Sequence, residues 1–93
     1  MRVLVPWIEG LLMTRDFYDD GFELAEQVRD AGHPEWAVRL EDAIESGSTA
    51  TEILMGLRWV TGELLSAIAD LPTETRGLAE DLWESIADLL GQE

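Results

Sequence analysis

Apolar residues recur every three or four positions along almost the whole chain, and this spacing restricts the fold more than any other feature. Residues three or four positions apart share one face of an α-helix, whereas a half-buried strand alternates at every second position. Only Val3, Leu4 and Val5 cluster in a β-like way, and a lone strand has no partner with which to form a sheet. The sequence therefore predicts an all-α fold.

Proline and glycine mark the limits of the first two predicted helices. Pro6 suits the first position of helix 1, where its missing N–H removes no hydrogen bond. The apolar face of this helix drifts along its length, so we expect either one bent helix or two helices broken near residues 14–19. Gly32 suits a left-handed residue after helix 1. Helix 2 is then predicted over residues 34–46, with Gly47 as the C′ residue that ends it.

The last two predicted helices follow a capping motif and a proline turn. Thr49 and Glu52 have the spacing of a capping box, in which each side chain accepts a hydrogen bond from an unpaired backbone N–H. We expect helix 3 to run from there to about residue 70 and helix 4 to span residues 73–90. Because short connections make consecutive helices pack antiparallel, the fold class is a small antiparallel helical bundle. Four helices and one domain over residues 1–93 are expected.

The excess of acidic residues excludes several classes of function. Twenty Asp and Glu oppose six Arg, Lys is absent, and the formal net charge is −14. Such a chain repels nucleic-acid phosphates and anionic membranes, so we expect neither as a partner. The absence of Cys removes thiolate nucleophiles and zinc–sulfur sites. If charge selects a partner, that partner is a basic protein.

One face of helix 1 collects a row of carboxylates. At about 100° per residue, these carboxylates fall within roughly a third of a turn of one another. Like charges three or four residues apart repel by about 0.2–0.5 kcal/mol per pair, and Arg15 and Arg29 lie beside the row. The row is either a solvated face or a docking surface for a basic protein, where charge complementarity raises the association rate. This acidic stripe consists of Asp16, Asp19, Asp20, Glu23, Glu26 and Asp30.

Two carboxylate pairs support a different interpretation, a metal site. Glu23 with Glu26, and Asp42 with Glu45, stand three residues apart on helices 1 and 2, and two such pairs face to face suit Mg²⁺ or Mn²⁺. The first pair resembles the Glu-x-x-Glu motif of all-α nucleotide pyrophosphohydrolases of the MazG type. The second motif of that family is Glu-x-x-Asp, and this chain has the reverse order. The resemblance implies a metal-dependent phosphohydrolase with these four residues as ligands.

Helix 3 carries further apolar positions away from its predicted core face. Met55, Trp59 and Gly62 are spaced i, i+4 and i+7 and lie nearly opposite Leu57 and Leu64. Methionine, tryptophan and glycine are typical of surfaces that accept another helix. Either helix 3 is buried on two sides by its own chain, or these three residues form a homodimer or partner interface.

The remaining candidates for functional residues, the histidine and three tryptophans, have structural explanations. His33 is the single histidine, and we expect it to be a capping or loop residue rather than a catalytic base. Trp7, Trp36 and Trp83 lie on or beside apolar stripes and are expected to anchor the core. We therefore expect no catalytic residue, no metal and no cofactor.

These features favour a non-enzymatic protein-binding module. We expect an acidic inhibitor of the immunity-protein or antitoxin type that binds a basic protein through the acidic stripe and forms a homodimer through Met55 and Trp59. The MazG-like phosphohydrolase and a purely structural homodimerisation unit remain alternatives. The first residues have no cleavage pattern of a secretory signal, and residues 47–55 are typical of short bacterial proteins. A cytoplasmic location is therefore expected.

Overall fold

The computed structural model describes residues 17–91, and the regular structure in this range is α-helical. Consecutive helices contact one another, and the first helix also packs against the last. This arrangement confirms the predicted small antiparallel four-helix bundle. The helices are α1 (Phe17–Asp30), α2 (Pro34–Ser46), α3 (Ala50–Ala67) and α4 (Thr73–Leu90).

Several predictions about the N-terminal part lie outside the described residues. They concern the helix start at Pro6, Arg15, Asp16, Trp7 and the first half of the proposed break at residues 14–19. From Phe17 onward α1 is continuous, so no break falls within the described part of that range.

The turn between α1 and α2 has the backbone geometry that the sequence predicts. Gly32 adopts a positive φ of 97°, which glycine reaches without a side-chain clash. Its N–H donates to the carbonyl oxygen of Arg29 at 3.1 Å, and the N–H of His33 donates to that of Val28 at 2.9 Å. These two bonds are the Schellman motif, which satisfies carbonyls left unpaired at a helix end.

Gly47 ends α2 in a different way from the one predicted. Its backbone is extended, with φ −74° and ψ 145°, so it is not a left-handed C′ residue. A Cβ atom at this position would lie 2.5 Å from Cγ1 of Ile53. Glycine is therefore needed here because the chain passes close to the start of α3.

The capping motif of α3 is present with one change of partner. The N–H of Glu52 donates to Oγ1 of Thr49 at 3.1 Å, as predicted. The carboxylate of Glu52, however, accepts from the N–H of Ser48 at 2.9 Å instead of from that of Thr49. The first turn of α3 is thus fixed by two side-chain to backbone hydrogen bonds.

The bounds of α2 and α4 agree with prediction, but α3 ends at Ala67, three residues before the predicted end. Ile68 is extended, with φ −112° and ψ 102°. The guanidinium of Arg76 donates to the carbonyl oxygens of Ile68 at 2.7 Å and Ala69 at 3.1 Å, and Leu71 is buried. Arg76 therefore satisfies carbonyls that a longer helix would have paired internally, while Leu71 turns into the core.

The core lies along the axis of the bundle and receives side chains from every helix. α1 approaches α2 and α3 closely, because a Cβ atom at Gly21 would lie 2.8 Å from Cδ1 of Ile44 and 3.1 Å from Leu57. Burial of such large aliphatic side chains stabilises the fold by about 1.5–3 kcal/mol each. The fully buried large aliphatic residues are Leu24, Val28, Leu40, Leu57, Leu64, Leu82 and Ile86.

Candidate functional site

The acidic stripe lies on the outside of α1. Asp19, Glu23, Glu26 and Asp30 are exposed, and Asp20 is half-buried. This placement follows from the helix itself, because Leu24, Ala25 and Val28 occupy the opposite, buried side. Asp16, the sixth member of the stripe, lies outside the described residues.

The acidic stripe borders two surface depressions. The first has a volume of ≈ 430 Å³ and the second ≈ 390 Å³, and Glu23 lines both. The second depression is also lined by Glu74 from the first turn of α4. This carboxylate is not part of the acidic stripe predicted from the sequence. The first is lined by Asp19, Asp20, Phe22, Glu23 and Glu26, and the second by Glu23, Gln27, Asp30, Ala31, Pro72, Glu74 and Thr75.

A chain of hydrogen bonds holds Glu23 in place between the two depressions. The hydroxyl of Thr75 donates to Oε1 of Gln27 at 2.9 Å. Nε2 of Gln27 donates in turn to Oε2 of Glu23 at 2.9 Å. Because Thr75 is buried, this chain runs from the inside of α4 to the carboxylate on the outside of α1.

Arg29 relieves the negative charge of the stripe only in part. Its guanidinium donates to both carboxylate oxygens of Glu41 on α2, at 3.0 and 3.1 Å. The hydrogen bond with Glu41 raises the pKa of Arg29 above its ordinary value, and the nearby charges of Glu26 and Asp30 act in the same direction. The guanidinium of Arg29 is thus paired with Glu41 on α2, and Arg29 lines neither of the two depressions.

The four carboxylates of the alternative metal site do not form a cluster. Glu23, Glu26, Asp42 and Glu45 are all exposed. Within residues 17–91, no three His, Asp or Glu side chains are arranged to hold a metal ion. The two pairs are not brought together as the metal-site alternative requires, because the buried side of α2 consists of Ala37, Leu40 and Ile44.

A third concave surface is lined by residues of α2, α3 and α4. This open groove has a volume of ≈ 670 Å³. Trp36 and Trp83, predicted as core anchors, are only half-buried and line it. We call it the tryptophan groove, and its described lining residues are Trp36, Arg58, Trp59, Gly62, Glu63, Ser66, Ala67 and Trp83.

The predicted interface on helix 3 divides into two parts. Met55 and Trp59 are exposed, with 57% and 67% of their surface accessible. Gly62, in contrast, is half-buried against its own chain, because a Cβ atom there would lie 2.9 Å from Nε1 of Trp83. Gly62 therefore makes room for an intramolecular contact, and Met55 and Trp59 are the apolar side chains of this strip that remain accessible.

Two arginines stack on the tryptophans at the groove. The guanidinium carbon of Arg39 lies 4.4 Å from the ring centroid of Trp36, and that of Arg58 lies 4.6 Å from the centroid of Trp83. Both distances fit cation–π contacts. The i, i+3 spacing of Trp36 and Arg39 is readable from the sequence, whereas the contact between Arg58 and Trp83 exists only after α3 packs on α4.

His33 is at the N-cap position of α2, and its side chain makes no capping hydrogen bond. Its carbonyl oxygen instead accepts from the N–H groups of Trp36 at 3.1 Å and Ala37 at 3.3 Å. The prediction of a structural residue at this turn is in agreement with these contacts, which use the backbone rather than the imidazole.

The four helices of the described range include none with both the length and the apolarity to cross a membrane. Comparison with protein-family models, with curated proteins and with solved structures finds no match for this chain.

Proposed function

We propose that this chain is a non-enzymatic protein-binding module that recognises a basic protein surface through α1 and the start of α4. The observation that supports the proposal is the position of Glu23, whose carboxylate lines both acidic depressions and is oriented through Gln27 by buried Thr75. In its concrete form, the module is an acidic inhibitor of the immunity-protein or antitoxin type, acting in the cytoplasm of a bacterium.

Depressions lined by carboxylates fit the long side chains of Arg and Lys. A cation that enters the second depression meets Glu23 and Asp30 from α1 and Glu74 from α4. Exposed charges of this kind contribute mainly to the association rate and to partner choice. The apolar stems of Arg and Lys can pack on Phe22 and Pro72, which line the same surfaces.

The proposal is tested with an arginine-rich peptide as the probe and isothermal titration calorimetry as the measurement. The triple variant Glu23→Gln, Glu26→Gln, Asp30→Asn removes three charges from the stripe. We expect its dissociation constant to rise by about tenfold, since each exposed ion pair contributes roughly 0.2–1 kcal/mol.

A matched control is available on α4. Glu80, Glu84 and Asp88 are exposed and spaced i, i+4 and i+8, so they form another acidic row, with Arg76 paired to Glu80 at 3.7 Å. The variant Glu80→Gln, Glu84→Gln, Asp88→Asn changes the net charge by the same amount. We expect it to weaken peptide binding by less than about threefold, because at physiological ionic strength screening limits the effect of distant charges. Equal losses in the two variants would contradict a specific site.

A homodimer through Met55 and Trp59 is the second candidate function, favoured by the large exposure of these two side chains. Size-exclusion chromatography with light scattering, over a range of protein concentrations, tests it. If this interface forms, the mass rises toward that of a dimer at high concentration, whereas the variant Met55→Gln, Trp59→Gln remains monomeric. A constant monomer mass for the unmodified chain would exclude this interface.

A further inference from the structure

The described lining of the tryptophan groove lacks the excess of negative charge that the chain has as a whole. The chain carries a net charge of −14, yet the described charged residues that line the groove are one arginine, Arg58, and one glutamate, Glu63. Glu63 is paired with Arg39. Arg58 is therefore the charged side chain of the groove that can bind a ligand.

Arg58 differs from the other described arginines in its partners. Arg29, Arg39 and Arg76 each form an ion pair with a glutamate. Within residues 17–91, Arg58 has no such pair, and its Nε atom is buried without a hydrogen-bond partner. Its guanidinium is held instead by stacking on Trp83. A cation fixed on an aromatic ring in a strongly acidic chain, with no carboxylate partner among residues 17–91, is suited to receive an anion.

The aromatic rings determine what else the ligand must be. Three tryptophans on three helices line the groove. A cationic ligand would compete with Arg39 and Arg58, which already occupy positions over Trp36 and Trp83. A flat apolar body, in contrast, can pack against the exposed ring of Trp59. The volume of ≈ 670 Å³ lies within the range of small-molecule sites.

We propose that the tryptophan groove binds a small aromatic carboxylate, with the ligand ring on Trp59 and its carboxylate at Arg58. The proposal is independent of the basic-protein surface, because none of the described residues that line the groove lines either acidic depression.

The test is a titration with 2-naphthoate, followed by the indole N–H signals of the tryptophans in ¹H–¹⁵N correlation spectra. We expect saturable shifts of the Trp59 and Trp83 signals, assigned from Trp→Phe variants. The neutral isostere 2-naphthamide should bind about tenfold more weakly, since a hydrogen bond to a charged group is worth roughly 1.5–3 kcal/mol before exposure is taken into account.

Two arginine variants make the test specific. Arg58→Met keeps an unbranched apolar stem against Trp83 and should reduce affinity for 2-naphthoate about tenfold, with little change for 2-naphthamide. Arg29→Met removes the same charge outside the groove and should leave both affinities within about twofold. Dispersed spectra of both variants verify that each is folded, and the neutral, polar substitution Arg58→Gln serves if Arg58→Met does not fold.

Four ligand-binding results would overturn the proposal. They are the absence of shifts up to millimolar 2-naphthoate, equal affinities for acid and amide, equal effects of Arg58→Met and Arg29→Met, and tighter binding of 2-naphthylmethylammonium. Indole shifts that depend on protein concentration without any ligand would assign the groove to a second copy of the chain and would overturn the proposal as well.

Discussion

At the scale of single residues, Gly62 and Gly77 show how surroundings decide what a side chain contributes. Both lie inside helices, where glycine is less favourable than alanine by about 0.8–1.0 kcal/mol. A Cβ atom at Gly77 would have no neighbour within 4 Å, whereas one at Gly62 would lie 2.9 Å from Nε1 of Trp83. The first glycine is therefore replaceable, whereas a side chain at the second would displace the ring of Trp83.

We expect Gly77→Ala to raise the free energy of unfolding by about 0.5–1 kcal/mol, the gain in helix propensity. Gly62→Ala has the same propensity gain, but it forces the Trp83 ring outward, and overpacking costs about 1–3 kcal/mol. Urea denaturation followed by tryptophan fluorescence measures both. Equal stabilisation by the two substitutions would show that Trp83 is not seated on Gly62.

Trp36 and Trp83 show how far the burial of a single side chain can be predicted from sequence. Apolar spacing places Trp36 and Trp83 beside buried stripes, and the inference of a core position follows. The structure leaves both half-buried at the open groove between α2, α3 and α4, although Trp36 also packs against the core. Local spacing gives the direction of a side chain but not the distance between the helices on either side of it.

At the scale of elements, helix ends that depend on local signals were predictable and one that depends on tertiary contacts was not. Pro34, Gly32 and the Thr49–Glu52 motif act within a few residues, and the structure has helix boundaries at each. The early end of α3 depends on Leu71 entering the core and on Arg76 reaching back to Ile68 and Ala69. No local pattern near residue 67 contains that information.

The hydrogen bond between Thr75 and Gln27 joins two helices that are distant in sequence, and we expect it to contribute to stability. A double-mutant cycle with Thr75→Val and Gln27→Met should give a coupling energy of about 0.5–1.5 kcal/mol, the usual net value of a hydrogen bond. Thermal or urea unfolding of the four proteins measures it. A coupling energy near zero would mean that Gln27 does not link the helices in solution.

At the scale of the whole molecule, the net charge of −14 acts on folding and on binding in opposite ways. Negative charges repel one another in the compact state, whereas they attract a basic partner. The acidic stripe was predictable because it lies on one helix. The contribution of Glu74 was not, because it requires α4 to pack beside α1.

Added salt should therefore stabilise the fold and weaken the binding of a basic partner. Raising the ionic strength from about 0.01 M to 0.15 M shortens the Debye length from about 30 Å to 8 Å. We expect Tm, measured by circular dichroism, to rise by a few degrees as self-repulsion is screened. Over the same range, the affinity for the arginine-rich peptide should fall. Loss of thermal stability on addition of salt would show that favourable ion pairs outweigh self-repulsion.

The position that the arginine-rich peptide takes on the protein shows whether a basic partner binds at the acidic stripe and Glu74. Amide chemical-shift changes in ¹H–¹⁵N spectra map that position residue by residue. We expect the largest changes on the outer face of α1 and the first turn of α4, around Glu23, Asp30 and Glu74. Largest changes along Glu80, Glu84 and Asp88, or changes of similar size on all four helices, would contradict it.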